Sequence, residues 1–274
     1  MKTFQPFDGD YCVAQKEYSP ECEKHYEGMF TQGSGYFHLR GSYEEGLKGA
    51  DQNEEYMRLP ANVTIEKPRH PLSKWGTYLP GVTGIHPLLK EELVNLPYPA
   101  YFSVAADGET LDMGGSNISD YERRLDLRDG VLYRSFVWNL KNGAVLHCEY
   151  VRYISRKRKN LLVQKMSYTV SRGVCRLRLI NDVVTDVETN GYNHFARVEK
   201  RAEGNTVDAE VETDNHDVVR ISSRAQCGGA EFSPAGPASV TEAELHDGDT
   251  LNVTKYSVLS CSRDPDGGVG FPSL

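Results

Sequence analysis

From about residue 99 onward, apolar and polar side chains alternate with period two between tight-turn dipeptides, the pattern of half-buried antiparallel strands. In residues 174–180, Cys175, Leu177 and Leu179 fall on one face while Arg176 and Arg178 fall on the other. The same alternation puts Leu162, Met166, Tyr168 and Val170 on one side of residues 161–170, and it recurs over 144–154 and 251–259. Asp107-Gly108, Asp129-Gly130, Asn142-Gly143, Asn190-Gly191 and Asp247-Gly248 supply residues that tolerate the positive φ of hairpin turns. So many strands at this spacing imply an all-β sandwich or barrel and leave little room for crossover helices in residues 144–180. The first hundred residues read differently. Pro, Gly and charge interrupt every apolar run, and residues 44–58 are acidic with too few apolar positions to define a face. Long loops with short strands, and one short helix around residues 20–29, are expected there. Loops of that length in a compact domain usually carry function or cover another surface.

Composition narrows the class. With 274 residues, 39% hydrophobic and 26% charged, the chain can bury a sizeable core without disulfide or metal staples. The formal net charge of −8 is the wrong sign for a surface that neutralises phosphates, so nucleic acid is not an expected partner, and neither is a membrane. The N-terminus meets Pro6, Asp8 and Asp10 before an apolar run of signal-peptide length develops, which favours a cytoplasmic protein. Six scattered cysteines without a C-x-x-C read as buried free thiols. The eight histidines show no H-x-H or H-E-x-x-H pairing, so no metal is expected.

Candidate chemistry is sparse. Residues 33–41 hold three glycines, but the strand-like Tyr36-Phe-His-Leu-Arg40 follows them where a phosphate-cradling loop needs a helix N-terminus, so a tight turn into a strand is the reading. Arg40 within that strand needs a carboxylate, and Glu44 or Glu45 is the expected partner in a structural ion pair. Trp75 and Tyr78 lie beside glycines, as either a stacking platform for a sugar ring or ordinary packing. Residues 156–159 are a solvated basic turn. There is no G-x-S-x-G elbow and no cysteine in a nucleophile context, so no catalytic residue is assigned.

Read in order, several segments form a resemblance. Gly33-Ser-Gly-Tyr-Phe-His-Leu-Arg-Gly-Ser-Tyr-Glu-Glu45 resembles the G-N-G-Y-L-G-x-R-G-x-x-E-E segment of glycoside hydrolase family 65, the inverting disaccharide phosphorylases. Gly76-Thr-Tyr-Leu-Pro-Gly81 is similar to its G-T-Y-x-x-G, Leu93-Val-Asn-Leu-Pro97 to its L-V-N-L-P, and Leu125-Asp-Leu-Arg-Asp-Gly-Val-Leu-Tyr-Arg134 to its L-D-x-x-x-G-x-L-x-R. Residues 181–190 and 255–264 match later family segments, the second ending in S-R-D, so the likeness runs from about residue 20 to 264. Ser34, His38 and Tyr98 stand where the family commonly has Asn, Gly and Asn.

The resemblance implies a super-sandwich of large antiparallel sheets over residues 1–264, with residues 265–274 beginning a linker and the family's catalytic (α/α)6 barrel absent from this chain. It implies a noncatalytic domain that scaffolds that barrel and a homodimer. In the intact enzyme inorganic phosphate would be a co-substrate acting on α-glucosides, with no other cofactor. Tyr36, Trp75, Tyr78 and Tyr98 are then the candidates for a carbohydrate or barrel-facing surface, on the expectation that two or more are exposed on one face. Two other functions stay open: a free-standing carbohydrate-binding sandwich, and an aldose-1-epimerase-like enzyme, the latter on fold analogy alone.

Overall fold

The computed structural model describes residues 11–46, 75–86, 90–189, 192–265 and 271, so most of the acidic stretch and the Asn190-Gly191 turn lie outside the described residues. The N-terminal third is built from short pieces, as its interrupted pattern requires. β1 (Cys12–Gln15) is followed by a 3-10 turn at Pro20–Cys22 and the single helix among the described residues, α1 (Glu23–Met29). Pro20 sits at the first position of that turn, where its missing N–H has no partner to lose. Next come β2 (Gln32–Gly33), β3 (His38–Leu39), β4 (Thr77–Tyr78), β5 (Thr83–His86) and β6 (Lys90–Leu93).

The strands then lengthen: β7 (Phe102–Ala106), β8 (Glu109–Thr110), β9 (Ile118–Asp126), β10 (Val131–Asn139), β11 (Val145–Ile154), β12 (Leu161–Arg172) and β13 (Val174–Asn181). The last set is β14 (Phe195–Glu203), β15 (Thr206–Thr213), β16 (Val218–Cys227), β17 (Ser233–Ala235), β18 (Ala238–His246) and β19 (Thr250–Cys261). Asp107 and Gly108 both take positive φ, at 48° and 84°, in the β7–β8 hairpin, the geometry for which that dipeptide is suited.

Pairing is antiparallel throughout the two large sheets. The nine-stranded sheet has the order β1-β9-β10-β11-β12-β19-β16-β15-β14, and the five-stranded sheet β17-β18-β13-β7-β8. The fold is therefore the expected all-β sandwich. The five-stranded sheet covers only part of the large one. Leu177, Leu179, Phe102 and Val104 from the small sheet share a core with Leu146, Tyr150, Met166 and Tyr168 from the large one. Towards β15, β16 and β19 the large sheet is covered by loops and short strands, with Phe37, Leu39, Leu79, Val94, Leu96 and Tyr98 packing on Val207, Val211, Val219 and Leu259.

A row of polar side chains marks the boundary between those two cores. Along the inner face of the large sheet, Gln15 pairs in register with Arg123 and Arg123 with Arg134. Further across, Arg152 pairs with Gln164, Gln164 with Lys255, and Ser257 with Ser223. All of these side chains are buried. Irregular chain crosses the sandwich here, and its carbonyls need donors that no neighbouring strand supplies. Gln164 donates to Ala100 O at 2.9 Å, Ser257 to Pro99 O at 3.1 Å, and Lys255 to Tyr101 O and Asp182 O. The belt thus holds the segment around residues 98–103 against the sheet.

Candidate functional site: the loop face and its anchors

The segment 40–46 lies along the charged half of the belt. Arg152 donates to Ser42 O at 3.0 Å and to a Glu44 oxygen at 3.2 Å, and Arg123 donates to Gly41 O. Arg134 grips Glu45 with two parallel bonds of 2.6 Å and reaches Glu44 at 3.0 Å. Burial disfavours the charged Arg134 guanidinium, but Glu45 and Glu44 outweigh it and hold its pKa well above the ordinary value. Burial likewise pushes Glu44 up, and Arg134, Arg152 and Arg123 together bring its pKa below the usual carboxylate value. The closing residues of two sequence motifs, Glu44-Glu45 and Arg134, therefore meet in space.

This corrects the ion pair expected within the strand. Arg40 is part-exposed and lies 3.6 Å from a Glu27 oxygen on α1, because Glu44 and Glu45 turn inward to the sheet arginines. The glycines of the motif have steric reasons. A Cβ on Gly76 would run into the Arg40 stem, with Arg40 Cγ at 2.6 Å, and one on Gly41 would collide with the Phe30 Cβ and stand 3.1 Å from Glu27 O. Gly41→Ala is expected to destabilise the fold by about 1–3 kcal/mol through overpacking, read as a lower denaturant midpoint at unchanged slope.

The four aromatic candidates are brought to one region but not onto one open surface. Tyr98 is fully buried, its hydroxyl donating to Ser42 O at 3.0 Å. Trp75 stacks on it with ring centroids 5.3 Å apart and planes at 7°, and meets Tyr101 edge-on. Tyr78 is part-buried and pairs with His38 across β3 and β4. Tyr36 is also part-buried and donates to both oxygens of Asp264 at 3.0 and 2.8 Å. Burial, then Asp264, raises the Tyr36 hydroxyl far above the ordinary phenol value. The exposure expected of two or more of them is not met. Tyr98 is interior, and Tyr36, Trp75 and Tyr78 are part-exposed. The larger exposed apolar groups here are Ile85 (55%) and Leu93 (45%), on the outward face of the β5–β6 hairpin.

That hairpin rests on a cluster the sequence did not announce. His194 Nδ1 lies 2.9 Å from Asp214 and its Nε2 lies 2.9 Å from Glu92. Asp217, in the same β15–β16 turn as Asp214, takes Arg263 in a two-point ion pair of 2.6 and 3.0 Å. The chain leaving β19 is thereby pinned twice, by Arg263 on Asp217 and by Asp264 on Tyr36. The His194 partners stand 102 and 20 residues away, so no local spacing could have flagged them. The two carboxylates approach opposite edges of the ring and do not converge on a cation position. Among the described residues, no group of three or more His, Cys, Asp or Glu side chains is placed to hold a metal ion. A separate cleft of about 230 Å³, lined by Gln32, Leu125, Asp126, Leu127, Ile154 and Arg156, is smaller than ordinary organic-ligand sites.

Comparison with known proteins finds relatives over much of the chain. The chain is 24% identical over 225 residues to an alpha,alpha-trehalose phosphorylase of Thermoanaerobacter brockii, a match covering 77% of this chain and 26% of that protein. It is 27% identical over 153 residues to a kojibiose phosphorylase of Caldanaerobacter subterraneus, covering 56% of this chain and 17% of that one. The chain thus spans about a quarter or less of the length of these curated relatives. A solved structure that carries the name of a kojibiose phosphorylase from the human microbiome superposes with a TM-score of 0.73 at 18% identity, over 92% of this chain and 32% of that one. The family profile described as "Glycosyl hydrolase family 65, N-terminal domain" matches residues 13–270. On that match, the chain belongs to glycosyl hydrolase family 65, as its N-terminal domain.

Proposed function

We propose that this chain is a noncatalytic domain that scaffolds the catalytic barrel of an inverting disaccharide phosphorylase and contributes to its homodimer. The observation that carries the reading is the pinning of the chain after β19 beside the loop face, through Arg263 to Asp217 and Asp264 to Tyr36. A barrel following this segment would start next to the part-exposed Tyr36, Trp75 and Tyr78 and the apolar Ile85 and Leu93. Those residues would form the contact, with backbone positions fixed by the arginine grip below them. In the joined enzyme, phosphate would attack an α-glucoside with inversion while a barrel carboxylic acid protonates the leaving oxygen. No resident cofactor is proposed. A cytoplasmic location is part of the proposal; separately, among the described residues no helix is long and apolar enough to cross a membrane.

Incubated alone with kojibiose, trehalose or maltose and inorganic phosphate, the purified chain is expected to release no glucose 1-phosphate. Turnover above the protein-free blank overturns the noncatalytic role. In the same preparation, oligosaccharide titration is expected to show no saturable binding; saturation that Trp75→Ala abolishes would instead make the chain a carbohydrate-binding module.

A further inference from the structure

His194 ties together three elements that are distant in sequence. Glu92, at its Nε2, belongs to β6; Asp214, at its Nδ1, belongs to the turn after β15. Gly84 of β5 closes the packing, since a Cβ there would stand 2.6 Å from His194 Nδ1 and 2.8 Å from Val94. The same turn holds the backbone of β5. Asp214 accepts the Ile85 N–H at 2.8 Å, Asp217 accepts the Thr83 N–H at 3.2 Å, and Asn215 donates to the Thr83 hydroxyl at 2.7 Å. Asp214 is thus shared between the imidazole and the hairpin's edge. Other polar groups around the ring are Asp217, which Arg263 neutralises, and Tyr192, whose ring lies 6.5 Å from that of His194 and stacks edge-on against His86. Lys90 pairs with His86 across the hairpin.

An imidazolium donates from both nitrogens and satisfies both carboxylates; a neutral imidazole has one N–H and one lone pair. A lone pair facing a carboxylate oxygen at 2.9 Å repels it. We propose that His194 is a proton-operated latch that fastens the β5–β6 hairpin to the β15–β16 turn when charged and releases that edge when neutral. The side to let go is set by exposure. The Glu92 side chain is 7% exposed and that of Asp214 33%, so the neutral ring keeps its proton for Glu92, and Asp214 turns to water. Asp214 then leaves the Ile85 N–H, and the edge of the strand that presents Ile85 outward loosens.

Amide hydrogen exchange at Ile85, followed by two-dimensional NMR and corrected for intrinsic exchange, tests the latch. Protection in the wild-type chain is expected to fall about tenfold between about pH 5.5 and 8, while Val104 in β7 keeps its protection. Asp214→Asn removes the second carboxylate yet keeps an oxygen for Ile85 and an amide N–H for the imidazole lone pair. Protection in that variant is expected to be high and flat with pH. In His194→Gln the dependence is expected to vanish. A flat wild-type profile, a wild-type slope retained in His194→Gln, or low protection in Asp214→Asn at pH 8 overturns the proposal. Asp214→Asn decides the matter alone should His194→Gln fail to fold.

Discussion

Arg134→Met is expected to destabilise the domain by about 3–5 kcal/mol and lower its melting temperature by about 10 °C or more, because it strands the buried Glu45 carboxylate and leaves Glu44 to Arg152. Glu45 and Glu44 have almost no exposed side chain, and Arg134 supplies both bonds that Glu45 makes to a guanidinium. Methionine fills much of the same volume, so the loss measures the unpaired charge more than a cavity. Adding Glu45→Gln is the discriminating step. It removes the stranded charge, so the double variant should be more stable than Arg134→Met alone. Near-UV circular dichroism during thermal unfolding reads both. Additive losses in the double variant would mean that the pair is not coupled.

Lys255→Met is expected to lower stability by an amount that grows with pH. Burial, opposed by Asp182 and Glu44, brings the Lys255 pKa down to about 7 in the folded chain, against about 10.4 when unfolded. Between those values the unfolded chain holds a proton that the folded chain lacks. Stability from this group therefore rises with pH from about 7 to about 10, and below 7 the buried ammonium opposes folding. Wild type should gain on the variant by about 1.4 kcal/mol per pH unit across that window, roughly 4 kcal/mol in all. Buried thiols and phenols such as Cys175, pushed up to about 11, and Tyr18, pushed up to about 12, lose stability as the solution turns alkaline, but they do so in both proteins and cancel in the difference. The variant also orphans two carbonyls, Tyr101 O and Asp182 O, which adds a loss that does not depend on pH. A gap that stays constant from pH 6 to 10 would show that Lys255 does not titrate in this range.

These two residues also show what was legible in the sequence. β11, β12, β13 and β19 could be read because side-chain direction is a local property: Cys175, Leu177 and Leu179 are buried and Arg176 and Arg178 are not, as their parity requires. The helix after Pro20 and the hairpin dipeptides carry equally local signals. Arg134, Arg152 and Lys255 were visible too, as charges sharing parity with Phe136, Tyr150 and Val253, but their meaning was not. Their partners arrive from other parts of the chain, Glu45 from 89 residues away and Tyr101 O from 154. Arg40 failed for the opposite reason: proximity in sequence suggested Glu44 and Glu45, which the sheet arginines claim. Trp75 and Tyr98 were both candidates for one surface, yet whether an aromatic faces solvent or another ring depends on the sheet it meets.

The placement of β19 governs how the domain comes into being. The last of the described strands in chain order lies sixth in the large sheet, between β12 and β16, with Leu161 facing Val258 and Val219 facing Cys261. Until residues 250–261 leave the ribosome, the block of β1 and β9 to β12 and the block of β14 to β16 have no strand between them. Each shows an unpaired interior edge during that interval, the kind of surface that recruits strands from other chains. Pairings this distant are slow to form, so closing the sandwich is a late step in the folding of this domain. The vulnerable species is accordingly the nascent domain whose β19 has not yet emerged.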